Sequence, residues 1–381
     1  MPESLNQKKQ VWFLTAWSLA FLIPLYWIKG ASGVTLIYSA ASGHFWNKLN
    51  PYVPSVVLDI YHYSPFFAFI YYPLTLLPSF LHVFLWAFLN IFIFWSGMGL
   101  WFKLNWKQPA IVLFALICSA MELDISMRYE QCNAMMAGFI LMSLHHLKES
   151  KHWRSGIFYA LAVNFKIFPI VFGLALLKKW KALLFSVLFL LLLAMIPALY
   201  VGPKGIVKLH LQQYESIQKD TINRRMSDLR PTFERKGLPE LGKISHYSVI
   251  FFFLLYSLRL FLKQSKIPLD LYYCLTAATI LLISPRTESP TFIMIAPAYV
   301  FLALCLPKWL YPPFLFALFI ITFVFTAAWD PFFHLKIQNG FFSKTMGTFV
   351  LWFVCVVEIL RRELQDRNSL RRLNSDTLPN R

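Results

Sequence analysis

The amino-acid sequence predicts an all-α fold, a polytopic bundle of helices embedded in a membrane. Of its 381 residues, 58% are hydrophobic and only 14% are charged, whereas charged residues make up about 25% of an ordinary soluble domain. Apolar runs such as residues 182–201 (ALLFSVLFLLLLAMIPALYV) approach the roughly 20 residues that a helix needs to cross a hydrocarbon core of about 30 Å. No stretch alternates polar and apolar residues as the strands of a membrane barrel do. Helices are therefore the predicted spanning elements.

Basic residues lie in short clusters between the apolar runs, as the positive-inside rule predicts for cytoplasmic loops. The clusters are Lys8-Lys9, Lys103/Lys107, Lys148/Lys151/Arg154, Lys178/Lys179/Lys181, Lys263/Lys266, Lys308 and Arg361-Arg362. Placing all of them in the cytoplasm gives about 12 membrane segments with both termini inside: 11–29, 80–102, 109–122, 132–147, 155–165, 167–177, 182–201, 248–262, 269–284, 290–306, 310–329 and 345–360. In this topology residues 64–78 lie in the outer interface, and residues 155–177 form a hairpin of two short helices.

The predicted organisation is a single domain over residues 1–381, embedded over about residues 11–360 and followed by a basic cytoplasmic tail at 361–381. The segment Val11–Ile28 is expected to be a retained first helix, because no small-residue cleavage site follows it. The net charge of +18 follows from topology, so no nucleic-acid partner is expected. The five cysteines occur singly, which predicts neither a disulfide framework nor a metal site. We expect a multi-pass protein of the plasma (inner) membrane.

The outer segments of this topology collect the chemically capable residues. One of them, residues 202–247, carries nine basic residues against five acids. Long loops cross the membrane largely regardless of charge. This segment is therefore either a solvated amphipathic loop or a surface that binds lipid phosphate headgroups.

A carboxylate stands among aromatic residues in the first outer segment. Asp59 and His62 belong to the run LDIYHYSP at residues 58–65. Desolvation near the membrane surface raises the pKa of a carboxylate such as Asp59, which suits a general base. The alternative is an ordinary solvated loop aspartate.

Two further segments combine amides with cations. Gln131 and Asn133 stand at the predicted outer start of a helix, with Arg128 about one turn earlier. Such groups bind sugar hydroxyls or a phosphate, unless Asn133 only caps the helix. Lys166 lies between two apolar stretches, where the cost of burying a charge favours a functional partner over a lysine that snorkels to the interface.

A short turn at residues 284–290 (SPRTESP) carries Arg286 and Glu288 between two apolar helices. The two residues either pair with each other and staple the turn or face the same outer cavity as the other segments. Taken together, the four segments predict one outer cavity that offers an acid, several cations and amides. Such a cavity suits an anionic, lipid-linked substrate.

These residues resemble a known family in their order and spacing. The elements that carry the resemblance are Tyr38-Ser39-Ala40-Ala41, Asn50-Pro51-Tyr52, residues 59–65 leading to 73–78, Gln131-Cys132-Asn133-Ala134, Phe165-Lys166-Ile167-Phe168-Pro169, Lys179-Trp180-Lys181 and Glu288-Ser289-Pro290-Thr291-Phe292-Ile293. Over about residues 30–300 the chain resembles glycosyltransferase family 87, the polyprenyl-phosphate-dependent, mannosyltransferase-like members of the GT-C superfamily. Many members carry an acid a few residues before the tyrosine that resembles Tyr38. This chain has Gly33-Val34-Thr35 there, so the role of that acid would pass to Asp59.

The resemblance implies a GT-C-like bundle that moves a hexose, most often mannose, from a polyprenyl-phosphate donor to an acceptor lipid, glycan or protein outside the cytoplasm. Asp59 would deprotonate the acceptor hydroxyl for inverting attack, and Glu288 would share the acid role or hold Arg286. The phosphate would be stabilised by Lys166, Arg128 and Arg286, and the sugar oriented by Gln131, Asn133 and His62.

No cofactor and no metal are expected beside the donor, and the sequence has no phosphate-cradling glycine loop for a nucleotide. The expected partners are membrane lipids, the polyprenyl-phosphate sugar and an acceptor glycolipid or glycan. Two alternatives remain open: a transporter or flippase for lipid-linked sugars, and an inactive relative that only binds them.

Overall fold

The computed structural model describes residues 3–29, 33–53, 60–104, 107–219, 228–234, 236–262, 269–284, 287–321 and 344–376. Across these ranges the chain forms α-helices, 3-10 helices and turns, without a strand, which confirms the all-helical fold class. Asp59 and Arg286 lie outside the described residues.

The first half of the chain forms helices that follow one another closely. They are α1 (Glu3–Lys29), α2 (Gly33–Trp46), α3 (Pro65–Thr75), α4 (Ser79–Phe102), α5 (Pro109–Arg128), α6 (Asn133–Lys148) and α7 (His152–Phe165). A 3-10 helix over Phe168–Lys178 leads to α8 (Trp180–Met195) and α9 (Ala198–Lys219).

The second half contains both long and short helices. These are α10 (Leu229–Glu234), α11 (Pro239–Leu262), α12 (Leu269–Ile283), a 3-10 helix (Ser289–Ile295), α13 (Ala296–Cys305), a 3-10 turn (Lys308–Leu310), α14 (Tyr311–Phe319) and α15 (Lys344–Asp376).

Among the described residues, three helices are long and apolar enough to cross a membrane: Ser79–Phe102, Pro109–Arg128 and Pro239–Arg259. The pair α8 and α9 raises the number to four if it counts as one bent span. The apolar helices Phe168–Leu177, Leu269–Ile283 and Ser289–Cys305 are shorter. Membrane character is thus supported, whereas the predicted count of about 12 segments is not confirmed.

The predicted segment 182–201 is not one straight helix. α8 ends at Met195, α9 begins at Ala198, and the two axes are bent by 99°. Pro197 lies between them; proline lacks an amide hydrogen, and its ring clashes with the preceding turn of a helix. A second interruption lies within α9 itself, because Gly202 has a non-helical, left-handed backbone (φ 76°, ψ 166°) that kinks the helix there. The predicted loop 202–247 is also largely helical, since it contains most of α9, all of α10 and the start of α11.

The chain divides into two compact units, residues 1–226 with 287–297 and residues 227–286 with 298–381. The prediction of a single domain over residues 1–381 stays a prediction. In the second unit α11 and α15 pack on α12. There the buried Glu358 accepts hydrogen bonds from Arg361 at 2.8 Å and from Arg362 at 2.6 Å.

In the first unit α6 is the central helix, packed against α4 and α7. Small residues let the backbones of α4 and α6 touch: a Cβ added to Gly138 would lie 2.3 Å from the Ile93 carbonyl oxygen, and one added to Gly97 would lie 2.5 Å from that of Gly138. Such close approach is typical of helices that associate within membranes. It fixes α6, and hence Asn133 at its first turn, in the interior of the unit.

The segment predicted to lie in the outer interface forms the short helix α3. Its 11 residues span about 16 Å, roughly half of a hydrocarbon core. Ser64 caps the helix by accepting a hydrogen bond from the Phe67 amide, and Pro65 occupies its first turn. These two residues set where α3 begins and thereby fix the end of the segment that carries His62 and Tyr63.

Candidate functional site

The ammonium group of Lys166 is the centre of a polar cluster in the first unit. Its Nζ donates to Oδ1 of Asn133 at 3.1 Å and to Oε1 of Gln131 at 3.3 Å. The same nitrogen lies over the rings of Tyr63 and Phe168, at 5.4 and 5.7 Å from their centroids. Two amide oxygens and two aromatic faces therefore surround this cation.

Lys166 occupies this place because it lies in the connection between two short helices. α7 stops at Phe165, Lys166 adopts an extended backbone (φ −143°, ψ 145°), and a 3-10 helix follows with Pro169 in its first turn. The structure thus contains the two-helix arrangement expected for residues 155–177, with Lys166 at the tip.

Gln131 connects Lys166 to a carboxylate from far along the chain. Its Nε2 donates to Oε2 of Glu288 at 2.8 Å, and its Oε1 accepts from Nδ2 of Asn133 at 2.6 Å. Glu288 stands just before the 3-10 helix Ser289–Ile295 in an extended conformation. Four predicted site residues, Gln131, Asn133, Lys166 and Glu288, are therefore joined by hydrogen bonds.

Asn133 does not act as the cap of α6. The capping position belongs to Cys132, whose side chain makes no capping bond, while Oδ1 of Asn90 on α4 accepts from the Met135 amide in the first turn at 3.3 Å. The Asn133 side chain is fully buried and turns toward Gln131 and Lys166 instead. The capping alternative is wrong.

The segment 60–64 forms an aromatic wall beside the cluster. The Tyr52 hydroxyl donates to the Tyr63 carbonyl at 3.0 Å and the Tyr61 hydroxyl to the Ser64 carbonyl at 2.9 Å, while the Tyr38 hydroxyl donates to that of Tyr63 at 2.7 Å. Burial raises the pKa of Tyr52 and Tyr61 well above the usual range, so both hydroxyls stay protonated donors. The Ser64 hydroxyl donates to the Asn164 carbonyl, which ties this wall to the end of α7.

His62 contacts α9 in the structure. Its Nδ1 lies 3.3 Å from Oγ of Ser216, which also donates to the Tyr61 carbonyl at 3.2 Å. Arg128 pairs with Asp124 one turn earlier on α5, with Nε 2.9 Å from Oδ1 and 2.8 Å from Oδ2. The predicted cation at Arg128 therefore has a buried carboxylate as its partner.

One buried acid beside the cluster was missed from the sequence. α5 ends in a Schellman motif: the Glu130 amide donates to the Met127 carbonyl at 2.8 Å and the Gln131 amide to that of Ser126 at 3.1 Å. Glu130 takes the left-handed conformation (φ 51°) at the position of this motif where glycine is the usual residue.

The side chain of Glu130 is fully buried, and the Thr35 hydroxyl donates to its carboxylate. Thr35 lies in the segment where many members of the resembled family carry an acid. The indole of Trp86 donates to the Glu130 carbonyl at 2.7 Å. The signal in the sequence was a glutamate immediately before Gln131, but nothing local indicated its contact with Thr35, 95 residues away.

The arrangement can hold an anion next to hydrogen-bonding groups suited to a sugar. Two of the three N–H donors of Lys166 bind amide oxygens. The third N–H can therefore donate to a phosphate oxygen. Within the described part of the chain, no group of three or more His, Cys, Asp or Glu side chains is placed to hold a metal ion.

Comparison with known proteins gives one match. The model of glycosyltransferase family 87 matches residues 61–285, a range that contains His62, Gln131, Asn133 and Lys166. No curated protein and no solved structure matches the chain. Membership of the GT-C superfamily is consistent with the family match and with the helical membrane fold. Because the match covers more than half of the 381 residues, the chain belongs to glycosyltransferase family 87.

Proposed function

We propose that this glycosyltransferase moves a hexose, mannose in particular, from a polyprenyl-phosphate donor to an acceptor lipid, glycan or protein on the non-cytoplasmic side of the plasma membrane. The observation that carries the proposal is the Lys166 ammonium, which is held by Gln131 and Asn133. A fixed cation flanked by amides suits a sugar whose leaving group is a phosphate.

Lys166 stabilises the leaving phosphate. As the bond between the anomeric carbon and the phosphate oxygen breaks, negative charge develops on the polyprenyl phosphate, and a positioned ammonium in a partly dry site lowers the energy of that state. The rings of Tyr63 and Phe168 keep water from part of the ammonium, which strengthens its interaction with the phosphate. Arg128 and Arg286 are further proposed contacts for the phosphate.

Gln131, Asn133 and His62 orient the sugar. The Gln131 amide is held by Glu288 on one side and by Asn133 and Lys166 on the other. A side chain locked in this way presents its hydrogen-bonding groups without a further loss of rotamer freedom. Glu288 therefore acts as a positioning residue for Gln131.

Asp59 is the proposed base. The acceptor hydroxyl loses its proton to the Asp59 carboxylate while its oxygen attacks the anomeric carbon from the face opposite the phosphate. The new glycosidic bond forms, the bond to the phosphate breaks, and the configuration at the anomeric carbon is inverted. No nucleotide takes part in this step.

The experiment uses the purified full-length protein with radiolabelled polyprenyl-phosphate mannose, its glucose counterpart and a nucleotide sugar as separate donors. We expect label to reach acceptors extracted from the host membrane from the mannosyl lipid alone, and Asp59→Asn to reduce transfer by at least about 100-fold, as removal of a general base does. Full activity of Asp59→Asn would reject this residue as the base. Movement of intact donor across liposomes without bond cleavage would instead identify a flippase.

A further inference from the structure

Beyond the kink at Gly202, α9 has two exposed stripes. Val207, Leu211 and Tyr214 are 56%, 58% and 62% exposed, and their spacing puts them on one side of α9. Lys204 and Lys208 are also exposed, and they lie roughly 80° further around the helix at about 100° per residue. The remaining side, with Ile206, Leu209 and Ser216, is buried.

α9 leaves α8 at nearly a right angle. The exposed side chains of α8, such as Leu184, Leu188 and Leu191, are apolar, as expected for a helix that faces lipid. α8 is 16 residues long and extends about 24 Å, and it begins beside the basic cluster Lys178/Lys179/Lys181. Since such clusters mark the cytoplasmic side and the bend is 99°, α9 runs along the opposite membrane surface.

We propose that α9 lies in the outer membrane–water interface, with Val207, Leu211 and Tyr214 toward the acyl chains and Lys204 and Lys208 bound to the phosphates of anionic phospholipids. An interfacial helix has this composition, an apolar face beside a basic one. Long lysine side chains reach from such a position to the phosphate level, and each lysine near an anionic surface contributes about a fivefold preference for it.

The buried side of α9 connects this lipid contact to the candidate site. Ser216 donates to the Tyr61 carbonyl and lies 3.3 Å from Nδ1 of His62. α9 also packs on α3, the helix that follows this segment. Lipid bound by α9 is therefore next to the wall of the site, so α9 concentrates anionic lipid where a lipid-linked substrate enters. The position of α9 follows from its own geometry and does not depend on which reaction the site performs.

The depth of α9 can be measured in nanodiscs that contain phosphatidylglycerol. The full-length protein, with the half-exposed Cys305 changed to serine, receives a nitroxide at Val207→Cys, Leu211→Cys or Glu215→Cys. We expect oxygen to speed the spin relaxation of the labels at 207 and 211 more than a water-soluble nickel complex does. At 215 we expect the nickel complex to have the larger effect. Equal, water-like accessibility at all three positions would overturn the proposal.

The lipid preference is tested by native mass spectrometry of the protein with phosphatidylglycerol and phosphatidylcholine. We expect Lys204→Gln/Lys208→Gln to lower the preference for phosphatidylglycerol by about 25-fold, from two contributions of about fivefold each. The control Lys236→Gln/Lys243→Gln removes the same charge from the same stretch of sequence and should keep the preference. An unchanged preference in the first variant, an equal loss in the control, or displacement of the lipid by inorganic phosphate would reject lipid binding at α9.

Discussion

Gln131 and Glu288 are 157 positions apart in the sequence, and the Gln131 amide donates to the Glu288 carboxylate at 2.8 Å. This bond fixes the rotation of the Gln131 amide, so that Oε1 is the atom that faces Lys166 and Asn133. If the Gln131 amide were rotated by 180°, its NH2 group would face two other donors, the Lys166 ammonium and the Asn133 NH2 group. The Glu288 carboxylate therefore determines that Gln131 presents an acceptor oxygen, and not a donor, to Lys166.

This relationship predicts different effects for two substitutions of Glu288. Glu288→Gln keeps an acceptor oxygen for Gln131, whereas Glu288→Ala removes it and leaves a buried donor with an unmet hydrogen bond, at about 1–3 kcal/mol. We expect transfer to fall by roughly tenfold or more in the alanine variant and by much less in the glutamine variant, with the loss in kcat rather than KM. Equal inactivity of the two variants would show that the negative charge itself is required and would contradict the positioning role.

A second prediction concerns Glu130, which has a left-handed backbone (φ 51°) and a buried side chain. Glycine adopts this conformation without strain, and this gain offsets part of the cost of removing the carboxylate that binds Thr35, so Glu130→Gly should keep its fold. We expect the variant to fold and to lose transfer activity, because α2 is released from the turn that carries Gln131.

Thr35→Val removes the donor of the same hydrogen bond. It leaves the Glu130 carboxylate without its bond from Thr35 and should lower the free energy of unfolding by about 1–3 kcal/mol. In the double variant Thr35→Val/Glu130→Gly this loss should largely disappear, since the buried charge is gone. Strictly additive effects, measured by thermal unfolding, would mean that the two side chains do not interact.

A third prediction follows from the contact between α4 and α6. The Cβ of alanine at position 138 would lie 2.3 Å from the Ile93 carbonyl oxygen, while one at position 43 would meet no atom within 4 Å. We expect Gly138→Ala to lower the melting temperature in detergent, because the two helices must separate. Gly43→Ala, in the last turn of α2, should be neutral or stabilising by up to about 1 kcal/mol. The same melting temperature for both variants would argue against close packing of α4 on α6.

A fourth prediction concerns the ion pair on α5. Asp124 is 4% exposed, and Arg128 is its partner at 2.8 Å. Loss of one partner of a buried ion pair costs about 3–5 kcal/mol at most. Arg128→Met should therefore destabilise the protein strongly, and Arg128→Met/Asp124→Leu should recover most of the loss. If the double variant is stable but no longer transfers sugar, Arg128 also serves the substrate.

The sequence predicted the helical membrane fold and the segments that supply the Lys166 cluster. Apolar runs and basic clusters are properties of the chain itself, and together they led to the prediction that Gln131, Lys166 and Glu288 lie on one side of the membrane. The partner of Arg128 was not predicted, because the predicted segment 109–122 ends before both residues, whereas α5 continues to Arg128 and places Asp124 one turn earlier on the same helix. The contact between Thr35 and Glu130 depends on how α2 packs beside the end of α5, and no local pattern encodes it.

The bend between α8 and α9 had visible signals in the sequence, Pro197 and the kinked Gly202, but the hydrophobic run continues past Pro197 to Val201. Hydropathy alone therefore predicted one span where the chain turns by 99°. The direction of this turn brings Ser216 of α9 into contact with His62.

The most direct test of the account is sugar transfer by Lys166→Met, measured beside Lys181→Met. Both lysines lie over aromatic rings, Lys166 over Tyr63 at 5.4 Å and Lys181 over Trp180 at 5.8 Å, but Lys181 is exposed at the start of α8. With radiolabelled polyprenyl-phosphate hexose as donor, we predict that Lys166→Met loses at least about 100-fold in rate, as loss of one group that stabilises developing charge does. Lys181→Met should match the unmodified protein. Equal transfer by the two variants would contradict the claim that Lys166 stabilises the leaving phosphate.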